Sequence, residues 1–240
     1  MKWTESYKVK FHDTDVNEIL SPKNTLKFMQ ETAMLQMKGV GTSYEELFNQ
    51  KKAFLLSTIR LEFISPIYAY DMISVDTWAQ EGKGFTYPRF FEIKRDGETV
   101  AEGASNWALV HTEEKRLIPQ GEIDLSHFPI DEPLKTEHSL RIRIPSALPL
   151  SLVGEYTVKY SDIDLNGHMN NTNYPGLICD HIPGIDKIRI TSMGISFPNE
   201  AKYGEVLKVY LGRVDNKYFF RTIREDGKIN IEAEIIFEAI

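Results

Sequence analysis

YKVKFHDTDVNEILSPKNT, residues 7–25, lies without a gap on YTVKYSDIDLNGHMNNTNY, residues 156–174. Seven positions are identical: Tyr7/Tyr156, Val9/Val158, Lys10/Lys159, Asp13/Asp162, Asp15/Asp164, Asn17/Asn166 and Asn24/Asn173. Later in the chain DMISV from Asp71 matches EVLKV from Glu205, and KRDGETVAEGA from Lys94 resembles REDGKINIEAE near Arg224. Matches that keep their order while the offset falls are what duplication of a whole folding unit leaves behind. The second copy is the shorter one.

The length fits this reading, since 240 residues hold two domains of ~100 to 120 residues each. With 42% hydrophobic and 26% charged residues the chain has an ordinary globular composition. Its formal charge of -7 argues against general nucleic-acid binding, which wants a basic face. No apolar run reaches the roughly 18 residues that span a bilayer, and the start MKWTESYKVK lacks a signal-peptide core, so no membrane partner and a cytoplasmic location are expected. One cysteine, Cys179, excludes an internal disulfide, and the six histidines show no paired metal-ligand spacing. No metal is expected. Five of the eleven prolines (119, 129, 133, 145, 149) fall between the copies and suit an extended connection. The expected division is a first domain over 1–120, a Pro-rich linker over 121–150 and a second domain over 151–240.

Each copy reads as a strand, a polar loop, a helix and then several strands. Ser21 and Pro22 form an N-cap and first-turn pair, with Leu26, Met29, Ala33 and Met37 following at helical spacing. FISPIYAYDMISVDTW, FTYPRFFEIKR and GASNWALVHT are rich in β-branched and aromatic residues and read as antiparallel strands, with Trp78, Phe90, Phe91 and Trp107 assigned to the core. In the second copy a helix is expected to start near Asn170 or Asn171, to tolerate Pro175 in its first turn and to end before Pro183. The strands SMGISFP, GEVLKVYLGRV, KYFFRTIRE and KINIEAEIIFEA follow. One helix against a long antiparallel sheet, twice over, is an α+β plan.

Residues 162–170, DIDLNGHMN, alternate between polar and apolar. An extended segment would point Asp162, Asp164, Asn166 and His168 to one side, with Ile163, Leu165 and Met169 on the other. The helix that opens next could offer free N–H groups and its positive dipole end to a developing oxyanion. An Asx-rich turn capping a helix is the plainer reading of the Asp and Asn residues. The first copy supplies an internal control, because it keeps Asp15 and Asn17 but has Ile19 where the second copy has His168. Function therefore singles out His168, and Asp164 and Asn166 take a mixed structural and functional role.

YSDIDLNGHMNNTNY closely resembles the catalytic-loop motif of plant-type and bacterial acyl-ACP thioesterases, which are double hot-dog proteins. LSPKNTLKFMQETA is similar to their first hot-dog helix, and ISVDTW, RFFEI and ASNWALVHTEEKR to their first sheet. The resemblance implies two tandem hot-dog domains, each a long antiparallel sheet wrapped around a helix. It implies hydrolysis of fatty acyl-ACP to free fatty acid and ACP, with acyl carrier protein as partner and no cofactor. Carried over residue by residue, it places the Asp, Asn and His of the loop at Asp164, Asn166 and His168, and the glutamate of the following strand region at Glu200 in FPNEAKYGE. Many members have a cysteine after that glutamate, where this chain has Ala201, so a thiol mechanism has no group there. Cys179 is assigned to packing in the second helix. The first copy, with no carboxylate in FISPIYAYD opposite Glu200, is expected to be catalytically silent and to complete the acyl pocket.

His168 and Glu200 can share the proton work of activating water, with Asp164 either orienting or acting as a transient nucleophile. A hot-dog acyl-CoA thioesterase is the nearest rival, followed by a hot-dog dehydratase and a non-catalytic acyl-thioester sensor; a homodimer stays open. Residues 208–224 hold Lys208, Arg213, Lys217, Arg221 and Arg224 against one acid, Asp215, which makes this run the candidate docking face for an acidic carrier protein.

Overall fold

The computed structural model describes residues 2–122 and 126–240, so residues 123–125 of the expected linker lie outside the described residues. It divides into two compact units, Met1–Glu137 and His138–Ile240.

In the first unit β1 (Trp3–Lys8) leads through a 3-10 turn into α1 (Pro22–Gly39). The Ser21 hydroxyl accepts the Asn24 N–H and Pro22 opens the first turn, as the sequence predicts. A short α2 (Tyr44–Asn49) follows under a Ser43/Glu46 capping box that the sequence reading passed over. The strands β2 (Lys52–Phe63), β3 (Met72–Ala79), β4 (Tyr87–Arg95) and β5 (Glu98–His111) come next, with a short β6 (Arg116–Ile118). They pair antiparallel in the order β1-β3-β4-β5-β2, and β6 adds to β5. The long strand β2 also escaped the sequence reading. Residues 64–71, expected as strand, form a loop instead, because Pro66 offers no N–H to a ladder and Tyr70 turns the chain at φ 73°.

α1 buries Leu26, Met29, Ala33 and Met37 against this sheet. The approach is close at Gly103, where a Cβ would stand 2.9 Å from the Met29 sulfur. Trp78, Phe90 and Phe91 are buried as expected, while Trp107 is half-buried and donates to the Ser105 hydroxyl at 2.9 Å. Gly103 and Phe91 face the helix, so their neighbours Glu102 and Glu92 face away from it. On that outer face the register sets Asp76, Glu92, Glu102 and Glu62 side by side across β3, β4, β5 and β2. Lys94 bridges Asp76 at 2.7 Å and Glu92 at 3.3 Å, and Lys2 pairs with Glu92.

The second unit repeats the plan with β7 (Ser151–Thr157), α3 (Tyr174–Asp180), β8 (Ile188–Ser196), β9 (Val206–Val214), β10 (Lys217–Ile223) and β11 (Ile229–Ala239). Its antiparallel order is β8-β11-β10-β9-β7. The proline-rich stretch before β7 is packed rather than free, since a Cβ on Gly212 of β9 would come within 2.7 Å of Leu150 and 3.0 Å of the Pro149 carbonyl oxygen. The copy is shorter because α3 has 7 residues where α1 has 18, and α2 has no counterpart.

Candidate active site

The loop between β7 and α3 starts with a 3-10 turn at Tyr160–Asp162. Asp162 is buried, its carboxylate accepting the Lys159 N–H at 2.8 Å and the Tyr156 hydroxyl at 2.7 Å. Its carbonyl oxygen takes the Asn170 N–H at 2.8 Å and the Asn173 amide at 3.1 Å. Asp162 is thus a hub of the loop and not a companion of His168, contrary to the extended reading.

Beyond it the chain folds back on itself. The Asp164 carbonyl oxygen accepts from Gly167 at 3.0 Å, its N–H donates to the His168 carbonyl at 2.9 Å, and its carboxylate accepts the Asn166 N–H at 2.8 Å. Gly167 makes this turn possible at φ 77°. The polar-apolar alternation is therefore that of a tight hairpin turn, which leaves Leu165 88% exposed rather than on an inner side.

The returning arm is pinned to the segment before β9. Met169 donates to the Ala201 carbonyl at 2.8 Å, and His168 lies opposite Lys202 in an antiparallel bridge. That crossing brings His168 Nε2 to 3.1 Å from Glu200 Oε2, with the imidazole side chain 24% and the carboxylate 49% exposed. Glu205 braces the same segment by accepting the Lys202 N–H at 3.0 Å and the Arg224 guanidinium at 2.6 Å. The structure thus brings His168 and Glu200 together, puts Asp164 in the turn beneath His168, and leaves Asn166 on the exposed tip.

The start of the helix does not serve as a free donor set. Asn170 caps the 3-10 turn Asn171–Asn173 by accepting the Thr172 N–H, and the Asn173 and Tyr174 N–H groups bond to the Asn170 and Asn171 carbonyls. Those three groups are spent on the chain itself. Cys179 occupies the penultimate position of α3, half-buried rather than in mid-helix.

The first unit repeats the backbone scaffold, though the Tyr7 hydroxyl meets Thr32 where Tyr156 meets Asp162. Asp13 accepts the Lys10 N–H at 2.8 Å, as Asp162 accepts that of Lys159. Asp15 N–H bonds to the Ile19 carbonyl at 2.8 Å, and Leu20 N–H to the Ile67 carbonyl at 2.7 Å, as Met169 does to Ala201. Asp71 accepts the Tyr68 N–H and the Arg95 guanidinium, as Glu205 accepts those of Lys202 and Arg224. Glu18 and Gly167 both turn at positive φ. The equivalences place Ile19 at the position of His168 and Pro66 at that of Glu200.

A further set of residues, missed in the sequence, lies behind Glu200. Asn230 on β11 is 0% exposed, and its amide nitrogen donates to the Asn199 carbonyl at 2.6 Å and the Tyr174 hydroxyl at 3.0 Å. Its amide oxygen accepts the Thr222 hydroxyl at 2.9 Å. Burial, and then the nearby carboxylates of Glu205, Glu200 and Asp162, push the Tyr174 hydroxyl up from its ordinary pKa. Difference between the two copies at matched positions was the available signal.

The basic run 208–224 does not gather into one patch. Arg221 pairs with Glu232 at 2.9 Å and Arg224 with Glu205 at 2.6 Å. Lys208 stands opposite Glu155 in the β7–β9 register. Lys208 and Lys217 share one face of the sheet, while Arg213 lies on the other, over the rings of Tyr218 and Phe237 at 5.4 and 5.0 Å.

Against known proteins, the model of the acyl-ACP thioesterase N-terminal domain matches residues 1–121 and that of the C-terminal domain residues 147–239. A palmitoyl-acyl carrier protein thioesterase, chloroplastic, of Arabidopsis thaliana is 27% identical over 222 residues, covering 85% of this chain and 53% of the relative. The chain thus spans about half the length of the curated relatives it matches. An acyl-ACP thioesterase from Bacteroides thetaiotaomicron has a TM-score of 0.89 at 23% identity, over 98% of this chain and 97% of that one. The 12:0-ACP thioesterase from Umbellularia californica has a TM-score of 0.88 at 16% identity, over 100% of this chain and 98% of that one. At such identities the structures speak for the fold, which is the hot-dog α+β fold the sequence implied. With its two halves matched in order by the two domain models of one family, the chain belongs to the acyl-ACP thioesterases.

Proposed function

We propose that this chain hydrolyses fatty acyl thioesters, with acyl carrier protein as the carrier and His168, Glu200, Asp164 and Asn166 as its site. The single observation that carries the reading is the 3.1 Å approach of His168 Nε2 to Glu200 Oε2 in the unit that alone has both residues. Family membership and the relatives' stated activity supply the substrate class.

In this reading the Glu200–His168 pair takes a proton from water as its oxygen attacks the thioester carbonyl. The carbon–sulfur bond breaks, the carboxylic acid leaves with the water oxygen, and the thiolate takes up the proton on its way out. Asp164 acts through the turn that holds His168, a role favoured by its backbone bond to His168 and by the identical bond of Asp15 in the first unit. Asn166, exposed at the loop tip, is given the carbonyl-orienting role that the family resemblance assigns to it.

Release of free thiol from matched acyl-ACP and acyl-CoA substrates tests both parts. Turnover of acyl-ACP at higher kcat/KM supports the full proposal, and preference for acyl-CoA replaces the carrier while keeping the chemistry. No thiol release from either removes the hydrolase reading.

A further inference from the structure

We infer that Asn230 is a positioning residue for Glu200, an inference that rests on the site proposed above. Glu200 is half-exposed, and a carboxylate on an unbraced segment would sample many directions before meeting an imidazole. The peptide immediately before it is held from below. Asn230 donates to the Asn199 carbonyl at 2.6 Å, and the Asn230 carbonyl accepts the Asn199 N–H at 3.3 Å. The Asn199 side chain returns a bond to the Ile229 carbonyl at 2.7 Å. One residue of β11 thus grips both ends of the residue that precedes Glu200.

The same amide nitrogen reaches the Tyr174 hydroxyl at 3.0 Å, at the point where the His168 loop becomes α3. Asn230 therefore ties the two segments of the site, one carrying His168 and one carrying Glu200, to a single buried group. Thr222 donates to the amide oxygen at 2.9 Å, which fixes which end of the amide points at the site. Asn230, Thr222 and Tyr174 are buried where an unpaired polar group is costly, so the three hold one geometry or none.

The first unit gives the comparison that separates a role in the site from a role in the fold. The ladder bonds that place Ile64 and Ser65 on the Val100 carbonyl match the bond of Asn199 to Asn230. Val100 is thus the counterpart of Asn230 and Ser65 that of Asn199, and the same register gives Ile93 for Thr222. Thr25 stands for Tyr174 in the repeat alignment. The unit that lacks His168 and Glu200 also lacks the whole network and still keeps the loop, the helix and the strand pairing. The fold does not need the network.

The test uses the full chain, thiol release from an acyl-ACP substrate, and a double-mutant cycle between Asn230→Val and Glu200→Ala. Valine is the residue the other copy carries at this place, so the fold has a precedent for it. Asn230→Val is expected to lower kcat roughly 10- to 100-fold, the scale on which misplacing a reacting group is felt, while KM stays within about twofold. In the Glu200→Ala background it is expected to cost nothing more. A kcat within about twofold of the parent, or an equal loss with and without Glu200, overturns the inference. If Asn230→Val does not fold by circular dichroism, Thr222→Val, which removes only the hydroxyl that orients the amide, is read in the same cycle. Its kcat must fall by about fivefold or more with Glu200 present and by nothing without it. Unchanged turnover of Glu200→Ala itself would instead strike the proposed site, and is told apart by that single variant.

Discussion

Ile19 occupies in the first unit the place that His168 occupies in the second. The carbonyl oxygen of each accepts the N–H of an aspartate, Asp15 at 2.8 Å and Asp164 at 2.9 Å. One turn is thus built twice, and only one copy carries a group that can move a proton. Turnover should follow that difference. His168→Ala and Glu200→Ala are each expected to lower kcat by ~100-fold or more with the fold intact, as loss of a general base does. Cys179→Ala, on the last turn of α3, should keep most activity. Steady-state thiol release on the three variants checks this, and a cysteine variant as impaired as the other two contradicts it.

The shared half of the turn should register in stability rather than in rate. Asp15 Oδ1 accepts the N–H groups of Asn17 at 2.9 Å and Ile19 at 3.2 Å. Removing it costs about 1 kcal/mol, the value of a lost side-chain cap. For a chain of this size that is a fall of roughly 2–4 °C in Tm. Turnover of Asp15→Ala should stay within about twofold of the parent. An unchanged Tm with abolished turnover would place Asp15 in the chemistry instead.

The repeat, α1 with its Ser21 cap and the antiparallel strands were legible because each rests on local pattern. The turn that carries His168 was half legible. Its residues stood out, but alternation of polar and apolar types fits a strand and a tight hairpin equally, and only the positive φ at Gly167 and the Asp164 bonds decide between them. Asn230 was not legible, because nothing in IREDGKINIEAE marks one buried asparagine until the register sets it beside Thr222 and Asn199. Register is also what dissolved the basic run. Arg213 falls on the opposite face from Lys208 and Lys217, and Arg221 and Arg224 find acidic partners outside the run.

The acidic row on the first unit's outer face predicts a pH-dependent gain. Glu102 stands between Glu92 and Glu62 in register and makes no ion pair or side-chain hydrogen bond among the described residues. Burial, and then these two neighbours, raise its pKa above the ordinary value. The folded state therefore binds the Glu102 proton more tightly than the unfolded chain, and this favours folding below the unfolded pKa and is lost as pH rises through the folded one. At neutral pH the ionised group opposes folding, so Glu102→Gln should stabilise by up to about 1 kcal/mol, toward the low end because the group is partly solvated. The gain should vanish below about pH 4, where the carboxyl is protonated in both states. Urea melts of both proteins across this range check it, and a gain that persists at low pH points to a cause other than charge.

Carrier docking on β9 and β10 is expected to be weak, against what the basic run suggested. Arg221 and Arg224 are paired with Glu232 and Glu205, and Lys208 faces Glu155 across the ladder. Of the two cations that remain, Arg213 lies over Tyr218 and Phe237 on one face of the sheet and Lys217 points to the other. Lys208 does share a face with Lys217, but they stand opposite Ile223 and Val214, at the two ends of β10. Six strand residues at ~3.3 Å each put them roughly 20 Å apart. The Debye length at physiological ionic strength is only ~8 Å, so the two act as separate, screened charges and not as a field. Reversing both, Lys208→Glu with Lys217→Glu, should therefore move the KM for acyl-ACP by less than about threefold, since isolated exposed charges contribute little to association at such salt. Arg213 is left in place because its guanidinium also packs on two rings, and its loss would disturb that packing. Acyl-CoA serves as the control substrate, measured on the same preparations and over the same range of added salt. A tenfold rise in KM for acyl-ACP, with acyl-CoA unaffected, would restore β9 and β10 as the docking face.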